Sequence, residues 1–249
     1  MDLRDRVALV AGGTGLLGIA IARALARAGA HVGITYLERK DAAKETCAAV
    51  EALGRRAFSV TLDQTDAAAI PAAVQAVAGH FGRLDVLVNN AGWNISIPYP
   101  DLETLDAAVW DRLFATNLRG PYLICRAAAP HLRASGSGRI VNIASVAGLN
   151  PGGSSLGYAT SKAGLIHLSR CLAVALAPEV TVNCVAPGLM EGTRMTSRLR
   201  PEIAEGARQR AVLKRAASVE DVADQVVAFC RSDSVTGQVL NIDAGVFFH

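Results

Sequence analysis

The stretch Val7-Ala8-Leu9-Val10-Ala11-Gly12-Gly13-Thr14-Gly15-Leu16-Leu17-Gly18 decides the fold. It begins as a short apolar run suited to a strand buried on both faces, then passes through glycines into a helical pattern over Ile19–Ala28. Glycines between a strand and a helix let the backbone approach a phosphate, and the first N–H groups of the helix are free to bind it. An ordinary tight turn also carries glycine, but its place between the first strand and the first helix favours a dinucleotide site.

Working outward, Val- and Ile-rich runs recur at Val7–Val10, Val32–Ile34, Ala57–Val60, Val86–Val88, Ile140–Ile143, Val180–Val185 and Val239–Ile242. Helical patterns lie between them at Ile19–Ala28, Ala42–Leu53, Ala67–Phe81, Leu156–Ala177 and Val219–Phe229. Alternating strands and long crossovers predict an α/β protein: a single doubly wound Rossmann domain over residues 1–249 with a seven-stranded parallel sheet. The segment 188–217 lacks a strand and is rich in Arg, Glu and Met, so it is predicted to be a helical lid over the substrate.

Composition narrows the function. The chain of 249 residues is 51% hydrophobic and 19% charged, which excludes disorder. A formal charge of +3, with scattered Lys and Arg, gives no footprint for nucleic acid or an anionic membrane, so a small-molecule partner is expected. Cys47, Cys125, Cys171, Cys184 and Cys230 are widely spaced, and neither they nor the five histidines show metal-ligand spacing; no metal is expected. The charged start, Asp2 to Arg6, has no apolar leader pattern, and Pro178 and Pro187 interrupt the long apolar stretch Cys171–Met190. A cytoplasmic protein that does not engage a membrane is the expectation.

Further motifs follow in order: Asp63 after the third strand, Asn89-Asn90-Ala91-Gly92 after the fourth, Asn117, Ser145, Tyr158-Ala159-Thr160-Ser161-Lys162, Pro187-Gly188, and the closing Thr236-Gly237-Gln238-Val239-Leu240-Asn241-Ile242-Asp243. Over essentially the whole length the chain resembles the classical short-chain dehydrogenase/reductase family and is similar to its 3-oxoacyl-[acyl-carrier-protein] reductase-like members. The resemblance implies a cofactor groove formed by Gly12, Thr14, Gly15, Leu16, Leu17, Gly18, Tyr36, Arg39, Asp63, Asn90, Ala91, Gly92, Tyr158, Lys162, Pro187, Gly188 and Thr193. It places Asp63 beside an adenine and Pro187, Gly188 and Thr193 near a nicotinamide. One departure bears on the glycine turn: where the family's middle glycine is expected, at position 16, this chain has Leu16, and Gly15 takes that task one residue early, as in the extended branch of the superfamily.

Asn117, Ser145, Tyr158 and Lys162 are the expected catalytic residues. Tyr158 and Lys162 are four apart on a predicted helix, so both side chains emerge on one face. A phenol with a pKa of about 10 donates a proton readily and needs a nearby cation to act as a base. Lys162 supplies that charge, and Ser145 is placed to bond the substrate oxygen as charge develops. By the resemblance, Lys162 also holds the nicotinamide ribose, and Asn117 lies where the helix widens around a water linked to the lysine. Pro121, four residues on, has no N–H to give the Asn117 carbonyl and offers a physical reason for the widening.

The expected activity is hydride transfer between a nicotinamide and a ketone or secondary alcohol. The alternatives are an isomerase or dehydratase of the same fold, or a nucleotide sensor without chemistry. NADP(H) is the expected cofactor and NAD(H) a possible one, because Tyr36 stands where NAD-preferring relatives carry an Asp, while Thr35, Arg39 and Lys40 are near enough to bind a 2′-phosphate. Glu38 and the missing base at Gly15 weigh the other way. Trp93, Asn94, Tyr99, Leu149, Asn150, Leu189, Met190 and Met195 are expected to wall a mixed, mainly apolar substrate pocket. By the resemblance, carrier-protein reductases place basic docking residues near the turns that here hold Ser135-Gly136-Ser137 and Pro178-Glu179, which favours a free ketone or alcohol for this chain. A homotetramer is expected, as in most family members, joined through the helices around Asn117–Leu132 and Tyr158–Ala177.

Overall fold

A computed structural model describes residues 1–196 and 201–248. Seven strands, β1 (Val7–Ala11), β2 (His31–Tyr36), β3 (Ala57–Thr61), β4 (Val86–Asn89), β5 (Gly138–Ile143), β6 (Val180–Pro187) and β7 (Val239–Ile242), pair in parallel in the order β3-β2-β1-β4-β5-β6-β7. This is the doubly wound Rossmann sheet that the alternation predicts. Strand order reverses between β1 and β4, and the crevice beyond their C-terminal ends is where such sheets bind ligands.

All five residues of β1 are buried because both faces are covered. Ala8 and Val10 pack with α1 (Leu16–Arg27), through Ile21 and Leu25, and with Val222 and Val226 of the last helix, Val219–Arg231. Val7 and Leu9 face the opposite layer, where α3 (Ala69–Phe81) contributes Val74 and Val77 and the helix Gly120–Ala134 contributes Ile124 and Leu132. Truncating Leu9 to Ala leaves a cavity between these layers, at a cost of about 2–5 kcal/mol. Below the sheet, fully buried Asp85 accepts the Val7 N–H (2.9 Å) and hydrogen bonds from Arg6 and Arg83 (2.9 and 2.6 Å). That network braces the end away from the crevice.

After α2 (Lys40–Glu51), the chain departs from the sequence pattern mainly at α4 (Ala107–Phe114). Asp106 caps α4 by accepting the Val109 N–H, and the chain then runs through a π turn, Ala115–Arg119, directly into α5 (Gly120–Ala134). The widening expected near Asn117 is therefore present. The remaining helices are α6 (Leu156–Ala175), α7 (Pro201–Arg210) and α8 (Val219–Arg231). Within segment 188–217 the described residues form turns and α7, while positions 197–200 of the predicted lid lie outside the described residues. No helix of the described residues is long and apolar enough to cross a membrane.

Candidate active site

The glycine turn is built from β2 upward. Gly12 takes φ +78°, and a Cβ there would lie 2.8 Å from Ala91 Cα, so any side chain collides with the loop after β4. The Gly12 N–H donates to Thr35 Oγ1 (3.1 Å) and the Gly13 N–H to the Thr35 carbonyl (2.9 Å). Thr35 is only 4% exposed; its hydroxyl oxygen supports the loop backbone, and the residue still borders the cleft. Arg39 stays at the rim, where its guanidinium donates to the Thr14 carbonyl at 2.8 Å. Lys40 opens α2 and does not line the cleft.

Gly15 is the residue before α1, which has no side-chain cap and no acidic residue in its first turn. Its first N–H groups therefore remain available to an anion. Leu16 starts the helix and lines the cleft, 45% exposed, with Cδ2 3.5 Å from where a Cβ on Gly192 would lie, and the space beside Gly15 is open. On the other side, Asn90 Nδ2 donates to the Gly12 carbonyl (2.8 Å) and ties the turn to β4.

Every residue assigned to the cofactor from sequence lines one cleft of about 2320 Å³ along the C-terminal edge of the sheet. Tyr36 at the end of β2 and Asp63 after β3 mark one side, and Pro187, Gly188 and Thr193 at and beyond the end of β6 mark the other. The Asp63 carboxylate also accepts the N–H and hydroxyl of Thr65 (2.8 and 2.7 Å), closing the turn after β3. These features fit an elongated dinucleotide whose diphosphate lies against α1.

Tyr158 and Lys162 emerge together from the first turns of α6, which Ser155 caps by accepting the Tyr158 N–H. Both are nearly buried. Burial pushes the Tyr158 pKa up, and a hydrogen bond with Ser145 partly opposes it. Lys162 is moved the other way: desolvation lowers its pKa to about 8. Its ammonium donates to the Ile143 carbonyl (2.9 Å) and lies 5.9 Å from the centre of the Tyr158 ring. Ser145, just past β5, also accepts the Ala147 N–H at 3.2 Å, which fixes its side chain toward the cleft. A protonated phenol, a hydroxyl beside it and a cation behind it can deliver a proton to a carbonyl oxygen and stabilise the charge that develops there.

Asn117 is fully buried and does not line the cleft. Its Oδ1 accepts the Trp93 N–H (2.8 Å), while Nδ2 donates to the Trp93 carbonyl (2.9 Å) and to Ser161 Oγ (3.1 Å). The side chain thus clasps the Trp93 backbone to Ser161 of α6. A Cβ at Gly92 would lie 3.3 Å from Asn117 Oδ1, 3.5 Å from Lys162 Nζ and 3.2 Å from Met195, so this glycine adjoins all three side chains.

Six of the eight expected substrate-wall residues line the cleft, and two do not. Tyr99 is turned to the backbone of Gly152, bonding its carbonyl and N–H at 2.6 and 2.7 Å, and Leu149 packs beside Leu165 and Ile166. Sequence reasoning missed Arg112 on α4, whose guanidinium covers the Trp93 ring at 4.2 Å, and Phe247 near the C-terminal end. No motif in the sequence marks either Arg112 or Phe247.

The comparisons agree with this geometry. A family model described as Enoyl-(Acyl carrier protein) reductase matches residues 13–247. The chain is 36% identical over 252 residues to 3-oxoacyl-[acyl-carrier-protein] reductase FabG of Aquifex aeolicus, covering 99% of each. It is 37% identical over 245 residues to cis-4-hydroxycyclohexanecarboxylate dehydrogenase of Sinomonas cyclohexanicum, covering 97% of this chain and 96% of that protein. Among solved structures, NADPH-dependent 3-quinuclidinone reductase of Rhodotorula rubra superimposes with a TM-score of 0.90 at 27% identity, covering 98% of this chain and 92% of that one. The chain belongs to the short-chain dehydrogenase/reductase family and is an NAD(P)-dependent oxidoreductase of ketones and alcohols.

Proposed function

We propose that this enzyme is an NADP(H)-preferring reductase of a free ketone, or dehydrogenase of the matching secondary alcohol, with Tyr158 as acid/base. The observation that carries the reading is the convergence of the Tyr158 hydroxyl, Ser145 and the Lys162 ammonium on one cleft. The bound nicotinamide supplies or receives the hydride. Tyr158 gives its proton to the substrate oxygen, Ser145 bonds that oxygen, and Lys162 stabilises the phenolate left behind. Gly12, Thr14–Gly18, Tyr36, Arg39, Asp63, Asn90–Gly92, Pro187, Gly188 and Thr193 hold the dinucleotide, and Leu189, Met190 and Met195 of the described lid residues cover the substrate. The assembly proposed is a homotetramer, in keeping with Tyr122 on α5 and Val174 on α6, which are 42% and 80% exposed.

Arg39 carries the NADP preference because it lines the cleft at the end of β2, where Tyr36 offers no carboxylate to repel a 2′-phosphate. One charge-assisted hydrogen bond contributes about 1.5–3 kcal/mol, or roughly tenfold to a hundredfold discrimination. A panel of ketones and alcohols with NADPH and NADH, followed at the nicotinamide absorbance band, tests both parts. The expected result is stoichiometric cofactor turnover with NADPH favoured, and a preference reduced by Arg39→Ala. Product without net cofactor consumption would instead indicate an isomerase or dehydratase, and binding without turnover a sensor.

A further inference from the structure

In the π turn the Gly120 N–H donates to the Ala115 carbonyl, five residues back. The next carbonyl in that register is Thr116, and the nitrogen five residues on belongs to Pro121, which has no hydrogen to give. Gln64 fills the gap. Its side chain, 8% exposed, donates from Nε2 to the Thr116 carbonyl at 2.7 Å and to the Ala91 carbonyl at 3.2 Å. Its backbone approaches so closely that a Cβ at Gly120 would lie 2.7 Å from the Gln64 carbonyl oxygen, and Arg119 adds a bond to the Thr65 carbonyl (3.1 Å). The turn after β3, at the Asp63 side of the cleft, is thereby fastened both to the loop after β4 and to the turn that carries Asn117.

We propose that Gln64 is a positioning residue for the reaction: its amide replaces the donor that Pro121 withholds, and so keeps Asn117, and through it the Trp93 wall, in register with α6. A long amide suits this task, since one NH2 group can serve two carbonyls from different elements. Without it, the Thr116 carbonyl is left to water or to a return toward regular α-helix, and either change moves Asn117 and loosens its clasp on Trp93.

Two variants test this. Gln64→Met keeps the volume and removes the donor. Gln64→Glu presents two carbonyls with a carboxylate, which can donate only when protonated; the exposed Asp63 and Arg119, of opposite sign, flank the position. Each is measured for thermal midpoint, NADPH binding, steady-state turnover and amide hydrogen exchange. Gln64→Met is expected to lose about tenfold in kcat with little change in NADPH affinity, and to exchange faster in peptides spanning 91–96 and 114–122 but not in the β5 peptide 138–143. The turnover of Gln64→Glu relative to the wild type is expected to rise as pH falls, while that of Gln64→Met stays flat. The turnover arm rests on the ketone–alcohol reading, whereas the exchange arm does not. A wild type inactive on the whole panel would count against that reading and leave the exchange result to decide this one. Unchanged exchange at 91–96 in Gln64→Met overturns the proposal, as does a loss confined to cofactor affinity or a flat pH ratio for Gln64→Glu.

Discussion

Replacing Lys162 by Met should make the cofactor-free protein more stable while destroying its activity. Lys162 is 3% exposed, and burial takes its pKa from 10.5 to about 8. By linkage, that difference corresponds to about 3 kcal/mol by which folding disfavours the charged form. Methionine fills similar space without charge but cannot donate to the Ile143 carbonyl, which returns about 1 kcal/mol. The expected net gain at neutral pH is about 2 kcal/mol, or about 4–8 °C in thermal midpoint for a chain of this length. Between about pH 8 and 10.5 the unfolded chain keeps a proton on this lysine that the folded chain has lost, so wild-type stability rises with pH across that window. The advantage of Lys162→Met is therefore full below pH 8 and shrinks toward pH 10.5. Scanning calorimetry of both proteins without nucleotide, at several pH values, measures it. A variant no more stable than the wild type at pH 7, or an advantage that grows with pH, would refute the reasoning.

Tyr158→Phe should lower kcat about 10²–10⁴-fold while NADPH still binds, because the proton donor leaves and the groove remains; turnover near the wild-type level removes Tyr158 from the mechanism. Pro121→Ala supplies an N–H four residues after Asn117 and favours closing the π turn, so turnover should fall about threefold to tenfold with no loss of thermal stability; an unchanged rate sinks that account. Light scattering at micromolar concentration should give the mass of a tetramer, and a monomer would contradict the proposed assembly.

Features that depend on chain-local spacing were legible in the sequence. The seven strands fall within two residues of the predicted runs, because inner parallel strands covered on both faces, such as β1 and β4, are mainly apolar. The Tyr158–Lys162 pair was readable because a helix places residues four apart on one face, whatever it packs against. The π turn had a covalent cue in Pro121, although its five-residue register, and hence the orphaned carbonyl at Thr116, was not visible.

The tertiary structure decided where side chains point and which distant groups meet. Thr35 and Arg39 lie four residues apart and both have polar side chains suited to a phosphate, but the packing of β2 ties the Thr35 hydroxyl to the glycine turn and leaves Arg39 at the rim of the cleft. Tyr99 and Leu149 follow binding motifs closely in sequence yet turn to Gly152 and the α6 core, while Arg112 reaches the cleft from a helix with no motif. Gln64 reads as an ordinary turn residue until β3 and α5 are brought together, since its partners Ala91 and Thr116 lie 27 and 52 residues away. Local periodicity sets which face of an element a residue occupies; only the packing of elements distant in the chain determines what that face meets.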